Sequence, residues 1–357
     1  MYDNPELLPS TKPRKAVKRA VTTKTINLAL QGGGAHGAFC WGVLDRLLED
    51  ERVSFEGVSA TSAGAMNATV MAFGMSQGGR EGAKTALANF WRRIAHAGLS
   101  SPLQPTALDR LSHNHGLDSS PAFMIFDLMS RLFSPYQFNP LNVNPLRQAL
   151  DETVDFGALR KCDAIKLYIS ATNVRTGKIR VFENKDLSTD AVLASACLPF
   201  MFQAVEIDGE AYWDGGYMGN PAIFPLIYGC DSRDVLVVHI NPIERPDVPT
   251  SAKDILNRIN EISFNSSLMR EMRAIAFVTK LVDDKQLSGT NMKRMLIHSI
   301  EGGQFMKELS VSSKLNCDWE FLTHLRDEGR GQAEGFLADN YSDLNVASTI
   351  DISDVYL

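Results

Sequence analysis

Ser62 stands where the sequence predicts a sharp turn from a strand into a helix. The surrounding segment is Val58-Ser59-Ala60-Thr61-Ser62-Ala63-Gly64-Ala65-Met66-Asn67. Such a turn, called a nucleophile elbow, pushes a serine hydroxyl out of the backbone and usually has the pattern G-x-S-x-G. Ala60 replaces the first glycine here, and small residues at Ala60 and Gly64 allow the turn to close. The pattern indicates a nucleophilic serine, although small-x-Ser-x-Gly segments also occur by chance.

A glycine-rich loop joins a predicted apolar strand, 26–30, to a predicted helix that begins near Gly37. Backbone N–H groups at a helix N-terminus favour anionic oxygen. One candidate ligand is a dinucleotide pyrophosphate, since Gly32, Gly34 and Gly37 satisfy G-x-G-x-x-G. The other is the oxyanion of a tetrahedral acyl-transfer intermediate. A dinucleotide site requires an acidic residue about 20 positions further on, at the end of the second strand. Because the second strand ends at Thr61-Ser62 instead, the sequence favours the oxyanion.

Asp214 lies in a second candidate catalytic segment, Tyr212-Trp213-Asp214-Gly215-Gly216-Tyr217. A predicted hairpin with Asp208-Gly209 at its turn brings Asp214 to the far end of that hairpin. An isolated Asp-Gly-Gly is usually only an Asx-type turn. A predicted helix at 191–202 precedes the hairpin, and its presence favours a functional role for Asp214.

These segments together resemble the patatin-like phospholipase family. The resemblance lies in Gly-Gly-Gly-x-x-Gly at 32–37, the elbow at 60–64 and Asp-Gly-Gly at 214–216, with further similar segments at 169–178 and 194–199. It implies a serine–aspartate dyad in which Ser62 is the nucleophile and Asp214 is its base. The implied oxyanion donors are the backbone N–H groups of Gly32, Gly33, Gly34 and Ala63. The positions that support the motifs are Gly37, Ala60, Gly64, Gly215 and Gly216.

Seven histidines are present, and a Ser-His-Asp hydrolase of the common α/β type places its histidine after the acid. Only His239, which ends a predicted strand, lies in a suggestive place. A histidine at a strand end is usually structural, so we favour the dyad. Aspartate is a weak base, with a reference pKa of about 3.9, but a dry surround of aromatic residues raises that value. No metal-ligand pattern is present in the sequence, and we expect no cofactor.

The resemblance implies a lipid acyl hydrolase of the phospholipase or lysophospholipase type, which forms an acyl-serine intermediate. Two alternatives stay open. An acyltransferase could use the same dyad, and a non-catalytic dinucleotide- or anion-binding domain could use the loop 32–37. Lipid is the expected substrate class. Head group, chain length, regiospecificity and oligomeric state do not follow from the sequence.

Composition narrows the class of protein. The chain has 357 residues and a net charge of −6, which argues against nucleic acid as a partner. Five widely spaced cysteines predict free thiols in a reducing compartment. No stretch has the length of a transmembrane helix and no signal peptide is recognised. We therefore expect a cytoplasmic protein, with peripheral contact at a membrane surface as a further expectation.

Strands and helices alternate along the chain, which predicts a three-layer α/β/α sandwich with a mainly parallel central sheet. We divide the chain into a basic disordered tail at 1–24, a patatin-like acyl hydrolase domain at 25–345 and a C-terminal tail at 346–357. A proline-rich insertion at about 98–145 contains an apolar block, 123–133. As an amphipathic helix this block either covers the acyl-chain site like a lid, touches a membrane, or packs on the main core. A long helix is predicted from 252 to about 282, with one face lined by Ile262, Met269, Met272, Ile275 and Val278.

Overall fold

The computed structural model describes residues 23–106, 109, 115–284 and 292–357. Most of the predicted basic tail, residues 1–22, lies outside these ranges. The strands are β1 (Lys24–Leu30), β2 (Val53–Ala60), β3 (Lys166–Asn173), β4 (Ile179–Glu183), β5 (Val205–Ile207), β6 (Glu210–Asp214), β7 (Asp234–Val238) and β8 (Leu296–Ile300). They form one mixed sheet in the order β5-β6-β3-β2-β1-β7-β8, with β4 paired to β3.

The helices of the described ranges connect these strands. They are α1 (Gly37–Glu49), α2 (Ala63–Leu99), α3 (Pro121–Leu132), α4 (Pro135–Phe138), α5 (Pro145–Asp151), α6 (Phe156–Leu159), α7 (Thr189–Ser195), α8 (Phe224–Gly229), α9 (Ala252–Asp283), α10 (Gly303–Glu308), α11 (Trp319–Asn340) and α12 (Ile352–Tyr356). None of them is long and apolar enough to cross a membrane.

Strand β1 is parallel to both of its neighbours. Leu30 at its carboxyl end pairs with Ala60 of β2 and with Val238 of β7. The segments that follow these three residues therefore meet at the same edge of the sheet, where ligands of parallel α/β folds bind. Antiparallel pairing occurs between β3 and β4, β3 and β6, and β5 and β6.

Alternate side chains of the central strands pack on opposite faces of the sheet. Leu28 and Leu30 of β1 point into the core formed with α1, α2 and α11, whereas Ala29 points into the core formed with α8, α9 and α12. Leu236 and Val237 of β7 divide in the same way. Helices thus cover both faces, and the predicted three-layer α/β/α sandwich with a mainly parallel sheet is confirmed.

Helix α9 covers most of the predicted residues at least partly, but not Ile262. Met272 and Ile275 are buried as expected, but Ile262 is 54% exposed. The polar residues Glu261 and Asn265 are buried in its place. Glu261 receives hydrogen bonds from Arg245, and Asn265 Oδ1 accepts one from Gln31 Nε2 beside the glycine loop. Satisfied polar groups therefore occupy positions that periodicity assigns to the solvent side.

Two peripheral segments differ in how they contact the rest of the chain. Helix α3, within the predicted insertion, has no buried residue and does not pack into the core. The C-terminal segment carries α12, whose Tyr356 is buried beside residues of β7 and α9.

Candidate active site

Ser62 occupies the junction between β2 and α2 with a strained backbone. Its φ is 56° and its ψ is −123°, a region that residues with side chains rarely adopt. The Ser62 N–H donates to Ser195 Oγ at 2.9 Å, and the Gly64 N–H donates to Thr61 O at 2.9 Å. These bonds hold the turn in the geometry of a nucleophile elbow.

Small residues around Ser62 allow close backbone approach. A Cβ added to Gly32 would lie 2.5 Å from Ser62 Cβ and 3.3 Å from Ser62 Oγ, so the glycine loop touches the serine side chain. Side chains at Gly64 and Gly37 would collide with Leu30 O and Ala63 respectively. Ala60 is fully buried at the end of β2 and pairs with Leu30, in a register that is continuous from Val58 to Ala60.

Asp214 ends β6 and is fully buried. Its N–H donates to Cys197 O at 2.8 Å, and its Oδ1 accepts a hydrogen bond from the Gly216 N–H at 2.7 Å. The two glycines after it have no room for side chains, because Gly215 lies against Ser170 O and Gly216 lies against the Phe264 ring.

The Asp214 carboxylate is set up to exchange a proton near neutral pH. Burial raises its pKa to about 7, against the opposing effects of the Gly216 N–H and the Ser62 hydroxyl. The Ser62 hydroxyl is therefore close to the carboxylate, yet Asp214 Oδ2 makes no well-formed hydrogen bond with any described residue. Such loose contacts are common in unliganded active sites and tighten when substrate binds.

The glycine loop is fixed by three amide side chains. The Gly32 N–H donates to Asn220 Oδ1 at 2.7 Å, and Gly32 O accepts from Asn241 Nδ2 at 2.8 Å. Gln31 Oε1 accepts from the N–H groups of Ile240 and Asn241, both at 2.9 Å. These bonds join the loop to the segment between β6 and α8, through Asn220, and to the segment after β7.

The hydrogen bond to Asn220 corrects one predicted role. Because the Gly32 N–H is already paired within the protein, it is not free to bind an oxyanion. Gly32 contributes to the candidate site by having no side chain, which allows the loop to lie against Ser62. The N–H groups of Gly33, Gly34 and Ala63 have no protein acceptor among the described residues. They remain the predicted donors.

Sequence reasoning missed several residues that shape the site. Ser195 lies in the similar segment 194–199 and Asn220 lies four residues after Asp-Gly-Gly, but no motif position gave either residue a role. Asn241 and Lys314 lie beyond the similar segments, and Lys314 Nζ donates to Asn241 Oδ1 at 2.7 Å. Nothing in their local sequence marks them, because their contacts join segments far apart in the chain.

His36 in the glycine loop and His239 directly after β7 are bonded to structural partners. His239 Nε2 lies 2.7 Å from the Tyr356 hydroxyl, and burial lowers its pKa to about 4. His36 Nε2 lies 2.7 Å from Ser313 Oγ, and burial holds its pKa well below its usual value. Within the described ranges, no group of three or more His, Cys, Asp or Glu side chains is placed to hold a metal ion.

The family model for patatin-like phospholipase matches residues 28–227, which is more than half of the chain. This protein belongs to the patatin-like phospholipase family. The matched residues include the glycine loop, Ser62 and Asp214, whereas Asn241 and Lys314 lie beyond them. Membership in this family indicates a lipid acyl hydrolase as the general class of enzyme.

Other comparisons add little to the family assignment. No curated protein was found to match the chain. Among solved structures, the crystal structure of VipD from Legionella pneumophila aligns with a TM-score of 0.43 and 16% sequence identity. The alignment covers 93% of this chain and 72% of that chain. A similarity this weak indicates nothing about a shared activity.

Proposed function

We propose that this patatin-like protein hydrolyses fatty-acyl esters of lipids, with Ser62 as nucleophile and Asp214 as general base. The observation that carries the proposal is the pairing of the two residues. A serine on a strained elbow adjoins a fully buried carboxylate whose pKa is raised to about 7 and whose Oδ2 has no partner among the described residues. Phospholipids and lysophospholipids are the proposed substrates.

Acylation begins when Ser62 Oγ attacks the ester carbonyl carbon and its proton passes to Asp214 Oδ2. The carbonyl oxygen becomes an oxyanion, which the N–H groups of Gly33, Gly34 and Ala63 stabilise. The intermediate then expels the alcohol, which takes the proton from Asp214. An acyl-serine and an ionised carboxylate remain.

Deacylation repeats these steps with water as the nucleophile. Asp214 accepts a proton from the attacking water, and the tetrahedral intermediate expels Ser62 Oγ, which recovers that proton. The product is a free fatty acid. A base whose pKa is close to neutral both accepts and returns the proton readily at physiological pH.

Two contacts argue against the loop as a dinucleotide site. The Gly32 N–H, which a pyrophosphate would need, donates to Asn220 Oδ1. The Ser62 side chain lies against Gly32, in the space in front of the loop. An anion in this place therefore contacts the serine, as the oxyanion of an acyl-transfer intermediate does.

We expect the purified protein to release fatty acid from p-nitrophenyl esters and from phosphatidylcholine or lysophosphatidylcholine. Free fatty acid and acylated acceptor are to be measured with and without an added lysolipid acceptor. Free fatty acid as the main product supports hydrolysis, whereas acyl transfer without release of fatty acid identifies an acyltransferase. A folded protein that turns over none of these acyl esters contradicts the proposal.

The predicted lid has an exposed apolar surface, and the segment that follows it is hydrogen-bonded to residues near Asp214. The large apolar side chains exposed along α3, which we call the α3 apolar face, are Met124, Ile125, Leu128, Met129 and Leu132.

Helix α4 follows directly, and its Tyr136 hydroxyl accepts a hydrogen bond from the Ala204 N–H. Gln203 Nε2 donates to Asn139 O, and Gln203 O accepts from Cys197 Sγ. Since Cys197 O accepts the Asp214 N–H, this chain of contacts joins the insertion to the catalytic base.

In the proposed function, the α3 apolar face rests on the lipid surface from which substrate enters. Ile125→Glu with Leu128→Glu places two charges on this face, at residues that are 64% and 56% exposed. We expect hydrolysis of phosphatidylcholine vesicles to fall at least tenfold, on the order of the cost of placing charge at a lipid interface, while soluble esters are turned over normally. The matched control is Val346→Glu, an exposed apolar position next to Asn345, which binds Asp234 at the opposite end of β7. Equal losses on both substrates, or none on vesicles, would contradict this role.

A further inference from the structure

Lys314 lies directly behind the glycine loop and beyond the residues that match the family. It belongs to a 3-10 turn, Val311–Leu315, and its carbonyl oxygen fills the space that a side chain on Gly34 would need. Lys314 Nζ donates to Asn241 Oδ1 at 2.7 Å, and Asn241 Nδ2 donates to Gly32 O at 2.8 Å. A chain of hydrogen bonds therefore joins a cation to the carbonyl of the first loop glycine.

The peptide group between Gly32 and Gly33 accepts the hydrogen bond from Asn241 at its carbonyl oxygen, and it also carries the Gly33 N–H. In a trans peptide the C=O and N–H bonds point in opposite directions. Asn241 follows β7 and Ser62 follows β2, and these two strands flank β1 on opposite sides. A carbonyl directed to Asn241 therefore directs the Gly33 N–H to the side of the loop where Ser62 lies.

We propose that Lys314 is a positioning residue that acts through Asn241 to orient and polarise the Gly32–Gly33 peptide, so that the Gly33 N–H binds the oxyanion more strongly. The inference rests on the proposed function of Ser62. Hydrogen bonds in a chain strengthen one another, and a charged donor at one end increases the effect. A dipole that is already aligned stabilises transition-state charge without a cost of reorganisation.

The charges around the Lys314 ammonium define when it carries its proton. Desolvation lowers its pKa to about 8, Glu261 on α9 raises it, and Arg245 lowers it. Glu261 is already bound by Arg245 and Arg258, so it is not a dedicated partner of the lysine. His36 is buried with a lowered pKa and is neutral at pH 7. Lys314 is therefore charged at pH 7 and becomes neutral as the pH rises through about 8.

Kinetics of a soluble p-nitrophenyl ester test the role in catalysis. Lys314→Met removes the charge and keeps the length, whereas Lys314→Arg keeps the charge. We expect Lys314→Met to lower kcat by about tenfold with KM unchanged, which is part of the 10²–10³ that loss of a whole oxyanion donor costs. Lys314→Arg should retain most activity. The fall of kcat above about pH 8 in the native protein should be absent in Lys314→Met.

A double variant tests whether Lys314 acts through Asn241. We expect Asn241→Ala to lose activity, and the double variant Lys314→Met/Asn241→Ala to be no slower than Asn241→Ala alone, because residues in one chain are not additive. Thermal melting is the folding control. Additive losses in the double variant, or an unchanged kcat in folded Lys314→Met, would overturn the inference.

The amide proton shift of Gly33, measured by NMR on ¹⁵N-labelled protein, gives a readout that needs no turnover. We expect this shift to titrate near pH 8 in the native protein and to lie upfield and not to titrate in Lys314→Met. An identical Gly33 shift in both proteins overturns the inference whatever the kinetics. If the native protein hydrolyses no ester, the proposed function fails separately, and the shift still decides whether Lys314 polarises the peptide.

Discussion

Ser62→Ala should abolish hydrolysis of acyl esters, with kcat/KM reduced by at least about 10⁴, as losses of catalytic nucleophiles typically are. Alanine removes the only proposed nucleophile but keeps the Cβ that lies against Gly32. The Ser62 N–H bond to Ser195 is a backbone contact and survives the change. The measurement is fatty-acid release from p-nitrophenyl esters and from phosphatidylcholine.

A serine in β2, the strand that precedes Ser62, provides a matched control for this substitution. Ser54 lies near the amino end of β2, where its hydroxyl bonds to Thr25, and Ser54→Ala should retain full activity. Both variants should melt close to the native temperature. A folded Ser62→Ala protein that keeps most of its esterase activity would refute the role of Ser62.

Asp214→Asn should lower kcat/KM by about 10²–10⁴, the usual cost of losing a general base. Asparagine has the size of aspartate and still accepts the Gly216 N–H, but it cannot accept the proton of Ser62. Native kcat/KM should rise with pH up to about 7 as Asp214 ionises, because burial raises its pKa to that value. The Asp214→Asn variant should lack this rise.

The same carboxylate predicts a change in stability. Its folded pKa of about 7 lies above the unfolded value of about 3.9, so the native protein loses stability as the pH rises between these values. Because Asp214→Asn removes this loss, the variant should melt at a higher temperature than the native protein at pH 8. Its free energy of unfolding should be larger there by at most about 4 kcal/mol. At pH 4 the variant should not melt higher. Asp208→Asn, at the turn of the same hairpin, is the control and should change neither activity nor melting. Near-equal kcat/KM in Asp214→Asn and native protein would mean that another group activates Ser62.

Local chemistry explains which parts of the site were predictable. The elbow at Ser62 and the glycine loop each depend on small residues that permit one tight turn, and such residues stand next to each other in the sequence. Asp214 was predictable because a short hairpin carries it to the end of β6. The periodicity of strands and helices was sufficient for the three-layer fold.

Contacts between distant segments were not predictable. Gly32 meets Asn220 across 188 residues, and Ser62 meets Ser195 across 133 residues. Single asparagine and serine side chains carry no periodic signal, so the loss of Gly32 as an oxyanion donor emerged only from the structure. Ile262 was assigned to the wrong face of α9 because polar residues were taken to face solvent, whereas Glu261 is buried among arginines.

Covalent labelling with a fluorophosphonate tests the Ser62–Asp214 pair most directly, because only an activated serine reacts with this reagent. The adduct is located by peptide mass spectrometry, and its rate of formation is followed against pH. We predict a single adduct on Ser62, formed faster as the pH rises towards about 7, when Asp214 ionises. We also predict no adduct in Ser62→Ala and labelling slowed by about 10² or more in Asp214→Asn. An adduct on another serine, or undiminished labelling in Asp214→Asn, would contradict the dyad.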